Sequence, residues 1–386
     1  MMKNKPRVCI IRQFYFPQEV HLRRDVKALM NAGFSVDIIC ARESKEKFHE
    51  VWMGINVYRI PLTHKRGKPL RYIYEYFSFF VLCSIVLSVL HLKKRYRIIE
   101  VDTMPDFLVF STIVPRVLGA RIILYQFENM PILFAEKYDL RKNSPIIITL
   151  KAIERLAVAY ADKVILTHHR SEQYFLNKST LVPNVPDEEM FLRNIGECKN
   201  TGKNTSAFLI VTHSTFTQTY GIQNIIKAIP LLKEKYPFLR CEIIGTGEYY
   251  EELVELSRNL GTDSLIRFKG YIPFEELASH LLKADVGVVS ILSDYLLPNK
   301  LFEYICLGIP VICSDARVIK LFFGRDEILF YKRDDYNTLA SAIEWVINNY
   351  AQALVMAKML KRRYQNEFCW QKMKYKYLNI YWELIK

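Results

Sequence analysis

The sequence predicts an α/β protein made of two doubly wound, Rossmann-like domains, and three observations predict it. Short β-branched runs alternate with helical patterns, the alternation occurs twice, and a polar stretch at 195–206 (IGECKNTGKNTS) separates the two series. Strand, helix, strand in succession calls for parallel sheets covered by helices on both faces. At 386 residues the chain exceeds what one hydrophobic core ordinarily serves. Its 51% hydrophobic and 24% charged residues exclude a disordered or collagen-like chain.

In the first series strands are expected at 7–14, 36–41, 97–101, 121–127 and 162–167, with helices such as 19–32 and 145–160 between them. The second series places strands at 207–212, 240–245, 266–268, 286–291 and 311–313. The domains therefore run 1–190 and 207–368, with a linker at 191–206. The tail 369–386 has aromatic residues at helical spacing and reads as a closing helix that packs back on the first domain. Ligands of such sheets bind outside the carboxyl ends of the strands, so a cleft between the domains is expected to hold the chemistry.

Fifty-four Lys and Arg against 40 Asp and Glu give a net charge of +14, and residues 1–190 carry most of the excess. An anionic partner of the first half follows, membrane phosphates or nucleic acid. Residues 76–92 (YFSFFVLCSIVLSVLHL) lack any permanently charged side chain and follow Lys65, Arg66, Lys68 and Arg71. A core helix, a helix lying on a membrane surface and a transmembrane span all fit that pattern. The eight cysteines show no metal-binding spacing, which suits a reduced, cytoplasmic setting, and a first strand from Arg7 leaves no room for a signal peptide.

Two segments carry candidate chemistry. Gly245-Thr246-Gly247 joins a strand to a helix, but Tyr250 occupies the third small position of a dinucleotide fingerprint, so a nicotinamide site is rejected. In residues 298–312 (PNKLFEYICLGIPVI), Asn299 is expected to cap a helix that Gly308 and Pro310 end. Lys300 and Glu303 share one face of its first turn. A cation beside the positive end of a helix suits a diphosphate, and a carboxylate one turn on suits vicinal ribose hydroxyls. On spacing alone, an exposed i,i+3 ion pair on an ordinary helix is the favoured reading. His168-His169-Arg170 follows a strand, but neighbouring histidines on extended chain face opposite ways and make a poor metal site.

The segment at 298–312 resembles the nucleotide-binding helix of family 4 glycosyltransferases, retaining enzymes of the GT-B fold, in the Pro-x-Lys-x-x-Glu-Tyr form. Tyr220-Gly221-Ile222, Gly245-Thr246-Gly247-Glu248, Phe268-Lys269-Gly270-Tyr271-Ile272 and Ala284-Asp285-Val286 resemble its markers in order, as do Ala161-Asp162-Lys163 and Val182-Pro183-Asn184.

That resemblance implies a sugar nucleotide held by the second domain. Glu303 would take the ribose, Lys300 and Asn299 the diphosphate, and Tyr271 and Ile272 the base, with Gly245, Gly247 and Thr217 shaping the surroundings. The family's second acid falls at Tyr295, with Asp294 adjacent, and the loop 213–220 lacks the Arg and Lys that many relatives place there. In the first domain Glu128 stands where relatives pair a His with an acid, and it would position or deprotonate the acceptor. Arg23, Arg24, His169 and Arg170 would meet the acceptor or its phosphate.

With Asp334-Asp335 in a late loop and no Asp-x-Asp at a strand end, metal-independent transfer is expected, Lys300 offsetting leaving-group charge. The implied reaction is retaining glycosyl transfer to a hydroxyl of a growing surface glycan, capsule or O-antigen, on a polyprenyl-diphosphate carrier at the cytoplasmic face of the membrane. A noncatalytic assembly partner, a sugar-nucleotide epimerase and a nucleic-acid binder are the competing readings.

Overall fold

The computed structural model describes residues 5–62, 69–141, 143–170, 172–175, 177–198 and 207–386. It divides into two units, Met1–Pro183 with Met373–Lys386, and Asn184–Lys372. Each is a Rossmann-like α/β unit, as the alternation predicts. The division precedes the expected linker. Residues 191–198 belong to a short helix end and a 3-10 turn, and 199–206 lie outside the described residues.

The first unit contains β1 (Arg7–Tyr15), β2 (Ser35–Ala41), β3 (His49–Trp52), β4 (Ile55–Ile60), β5 (Ile98–Asp102), β6 (Arg121–Gln126), β7 (Lys163–Leu166) and β8 (Ser179–Leu181). Its helices are α1 (Val20–Asn31), α2 (Pro69–Lys94), α3 (Ile113–Val117), α4 (Met130–Lys137) and α5 (Pro145–Tyr160). The strand order is β3-β4-β2-β1-β5-β6-β7-β8, parallel except for β3. The β3–β4 hairpin is absent from the sequence reading. It turns through Met53 and Gly54, both at positive φ, and methionine there gives no Asn-Gly signal. Ile99, Val101, Ile122 and Leu124 form the centre of a core that α2 and α5 cover through Phe79, Cys83, Leu87 and Val158.

The second unit opens with α6 (Glu188–Phe191). Its sheet contains β9 (Phe208–His213), β10 (Leu239–Ile244), β11 (Ile266–Gly270), β12 (Val286–Val289), β13 (Val311–Ser314) and β14 (Leu329–Tyr331), in the order β11-β10-β9-β12-β13-β14. Around it lie α7 (Ile222–Ala228), α8 (Tyr250–Asn259), α9 (Phe274–Leu281), α10 (Asn299–Leu307), α11 (Arg317–Lys320), α12 (Tyr336–Asn348) and α13 (Tyr350–Glu367). Chain order reverses beside β9, whose neighbours are β10 and β12. The last helix, α14 (Trp370–Ile385), returns to the first unit, where the Tyr377 and Tyr381 hydroxyls donate to buried Glu100 of β5 at 3.1 and 2.7 Å.

Candidate functional site

In the second unit the side chains of interest gather at the carboxyl ends of β9 and β12, the switch point where such sheets bind ligands. α10 starts there. Its N-cap is Pro298, with no side-chain cap, so Asn299 is the first helical residue and not the expected cap. A proline has no amide proton to satisfy and fixes the backbone before the helix. The first amides of α10 are therefore unmatched by a capping side chain.

Lys300 is buried, and its Nζ makes no hydrogen bond among the described residues. The ammonium lies 5.2 Å from the centre of the Tyr220 ring, whose face offsets part of its charge. Burial pushes it down from the usual 10.5 to about 8, a shift that Cys313 and Glu303 oppose only in part.

Glu303, one turn on and also buried, lies 2.5 Å through Oε2 from His213 Nε2, at the end of β9. A carboxylate only accepts, so Nε2 carries the proton. The other ring nitrogen meets the Tyr304 hydroxyl at 2.9 Å. Tyr304 is itself fixed by its ring, which packs so closely on Gly287 that a Cβ there would come within 2.8 Å of it. Tyrosine, histidine and glutamate thus form a chain that fixes one oxygen of Glu303 and leaves Oε1 without a hydrogen bond among the described residues.

Gly245 and Gly247 serve the site through the backbone. A Cβ on Gly245 would fall 1.8 Å from the Ser214 carbonyl oxygen, and one on Gly247 would fall 2.3 Å from that of Phe216. The turn is pressed against the 214–216 loop and bonded to it, Phe216 N donating to Thr246 O at 2.8 Å. Both glycines seat the loop that carries His213, Thr217 and Tyr220. Thr217 is half-buried and precedes the 3-10 turn Gln218–Tyr220. Tyr271 is exposed and Ile272 half-buried beyond β11. Asp294 has its carboxylate taken by Arg333 at 2.7 Å and the Arg317 amide at 3.0 Å. Burial would raise that carboxyl, but those donors hold it below the usual range. Tyr295 is half-buried, its amide bonded to Ser293.

In the first unit Glu128 follows β6. It is not the cap of α4, which is Asn129, accepting from the Ile132 amide at 3.2 Å. Burial, with the Glu136 carboxylate second, raises the Glu128 carboxyl to about 7. Behind it Arg12 of β1 lies over the Phe127 ring at 3.8 Å, between Glu19 and Asp102, each at 3.3 Å.

Two of the four basic residues expected to meet the acceptor are committed inside the fold. Arg24 is buried and paired with Asp25 at 2.8 Å. Arg170 is buried between Glu154 at 2.9 Å and Glu172 at 3.0 Å. A guanidinium matched by carboxylates in a closed interior holds structure together and does not wait for phosphate. Arg23 is half-buried on α1, and His169 is exposed.

Residues 18–186 match the glycosyl transferase 4-like domain, and residues 197–365 match glycosyl transferases group 1. The chain belongs to the GT-B glycosyltransferases of that group. An uncharacterized glycosyltransferase of Methanocaldococcus jannaschii is 26% identical over 58% of the chain and 60% of its own length. A glycogen synthase of Mycobacterium tuberculosis is 26% identical over 39% of the chain and 36% of its own length. The chain thus spans at most about three fifths of these curated relatives. Among solved structures, sucrose-phosphate synthase from Thermosynechococcus elongatus superposes with a TM-score of 0.80 at 18% identity, over 99% of both chains. Anabaena HepE in complex with UDP and glucose superposes at 0.72 and 13% identity, over 97% of this chain and 98% of its own. At such identity these structures share the fold.

As a glycosyltransferase, the chain departs from its sequence reading in two informative ways. His213 emerges as the partner of Glu303, although the two lie far apart in sequence. The missing imidazole beside Glu128 has a neighbour one strand away. Thr167 Oγ1 gives its proton to Phe127 O at 2.9 Å, so its 3.1 Å contact with His168 makes Nδ1 the protonated nitrogen there. Nε2 of buried His168 is then a bare acceptor, with no hydrogen bond among the described residues. Burial and Arg170 push this imidazole down to about 4, so it stays neutral near pH 7. Among the described residues no group of three or more His, Cys, Asp or Glu could hold a metal.

Proposed function

We propose that the chain moves a sugar from a nucleoside diphosphate to a hydroxyl of a glycan or lipid-linked acceptor, with retention and without a metal. One observation carries this reading: a buried ammonium, Lys300, with no hydrogen bond among the described residues, at the start of α10, whose N-cap Pro298 gives no side-chain cap. An unmatched buried charge is costly, and it is retained where a ligand of opposite sign completes it. The diphosphate meets Lys300 and the first amides of α10, where the helix dipole also favours negative charge. The ribose hydroxyls donate to Glu303, whose free oxygen His213 orients.

As the sugar–phosphate bond breaks, negative charge grows on the departing diphosphate, and Lys300 and the helix start stabilise it. The acceptor belongs to the first unit. There Glu128, with its carboxyl near 7, accepts a hydrogen bond from the incoming hydroxyl and steadies it. The acceptor's proton passes to the leaving diphosphate on the same face of the sugar, which keeps the anomeric configuration. A carrier-linked acceptor places the enzyme at the periphery of the cytoplasmic membrane, in assembly of a surface polysaccharide such as capsule or O-antigen.

Calorimetric titration of UDP-, GDP- and ADP-sugars tests the site. Lys300→Ala and Glu303→Ala are expected to abolish binding of the cognate donor with the fold intact. Undiminished affinity in both variants contradicts the assignment.

A further inference from the structure

The long apolar helix α2 has two unlike faces. Its inner face, through Phe79, Cys83 and Leu87, lies in the core under the first sheet. Its outer face is exposed and equally apolar. Ile73, Phe77, Val81, Ile85 and Val89 recur every fourth residue, each at least 38% exposed. From Ile73 to Leu92 the row extends about 28 Å at 1.5 Å per residue. On neighbouring α3, Ile113 is 52% and Val117 81% exposed. Soluble monomers ordinarily avoid so continuous an apolar surface.

The exposed charges at the end of this helix are basic. The one acid of α2, Glu75, is buried and paired with Arg71 at 2.8 Å. Exposed Lys93 stands in its last turn, exposed Arg95 and Arg97 follow it, and half-buried Arg116, paired with Asp162 at 3.3 Å, stands on α3. A second copy of the chain, docked face to face, would set this basic rim against itself. An anionic bilayer complements both parts, taking the apolar row into its interface and the cations at its headgroups. Spanning the bilayer would strip Phe79, Cys83 and Leu87 out of the core, so the helix lies along the surface.

We propose that the outer face of α2, extended by α3, docks the first unit on an anionic lipid bilayer. This deepens the carrier-linked reading above and names the surface that serves it. The test is flotation of the full chain with phosphatidylcholine vesicles, with and without about 30% phosphatidylglycerol, at low salt. The chain is expected to float with the anionic vesicles. The double variant Phe77→Glu/Ile85→Glu should lose at least about tenfold of the floated fraction, since it takes two apolar side chains out of the interface and sets two carboxylates against anionic headgroups. Val117→Glu repeats the test without altering α2 and should lower flotation in the same direction. Nucleotide affinity should be unchanged in all variants, which separates loss of docking from loss of the donor site.

Recovery of the wild-type chain in the lipid-free fraction overturns the proposal, as does equal flotation of the glutamate variants. A lipid-free dimer in sedimentation that Phe77→Glu/Ile85→Glu dissolves would show the face to be a self-interface and overturns it too. Flotation with intact nucleotide binding in Lys300→Ala would leave the docking surface standing and remove the donor site.

Discussion

The two units treat buried cations in opposite ways. In the first, Arg24 is paired with Asp25, Arg59 with Glu46 and Glu50, and Arg170 with Glu154 and Glu172. In the second, Lys300 is buried with an aromatic ring beside it and no hydrogen-bond acceptor among the described residues. The unit with the larger excess of basic residues therefore spends much of it internally, and the less basic unit holds the cation prepared for an anion. Net charge locates an anion site poorly. An unmatched buried charge locates it well.

The contrast sharpens first on stability. Arg170→Met leaves Glu154 buried without its cation, with only the Tyr174 hydroxyl donating to it, and should cost about 3 kcal/mol in denaturant unfolding. Lys300→Met should do the reverse. Its ammonium has a folded pKa, about 8, below the ordinary 10.5, so the charged form is disfavoured in the folded state. At pH 7 that penalty is present, and it fades as pH rises from about 8 to 10.5. The methionine variant should thus be more stable than wild type at pH 7, by up to roughly 3 kcal/mol, the gain shrinking to nothing at high pH. Equal losses in both variants would erase the distinction between the units.

A second effect is read in binding. Replacing His213 by Phe removes the donor that orients Glu303, and donor affinity should fall about tenfold to a hundredfold, in line with the loss of a charge-assisted hydrogen bond. Glu303→Gln should fall by a similar amount, and the double variant by little more than either, because the two act as one unit.

The smallest expected effect is on turnover. Glu128→Gln should lower kcat by about tenfold while donor affinity stays unchanged, as for loss of a hydrogen bond that positions the acceptor hydroxyl. Because its carboxyl stands near 7, the wild-type rate should rise with pH through that value, and the variant should lose that limb of the profile.

How much of this was legible in the sequence follows from the range of each interaction. Strand and helix periods, and the stop of α10 at Gly308 and Pro310, are local and could be read, whereas its cap reads as Asn299, one residue after the actual Pro298. The pairings that decide which cations are free are not local. His213 reaches Glu303 across 90 residues, and Arg170 reaches Glu154 across 16. Arg23 and Arg24 are adjacent, yet on a helix adjacent residues point about 100° apart, and Arg24 turned inward. The two faces of α2 carry the same apolar residues, so the period could not separate the face in the core from the face in solvent. Packing alone distinguishes them.

The most direct measurement of the central claim is calorimetric titration of the cognate sugar nucleotide into wild type and Lys300→Met at pH 7 and pH 9. Wild type should bind at pH 7 and lose up to about tenfold in affinity at pH 9, as the ammonium deprotonates above about 8. The methionine variant should bind far more weakly and with no such dependence. Equal affinity of the two proteins at pH 7 would contradict the claim that Lys300 is held for a diphosphate.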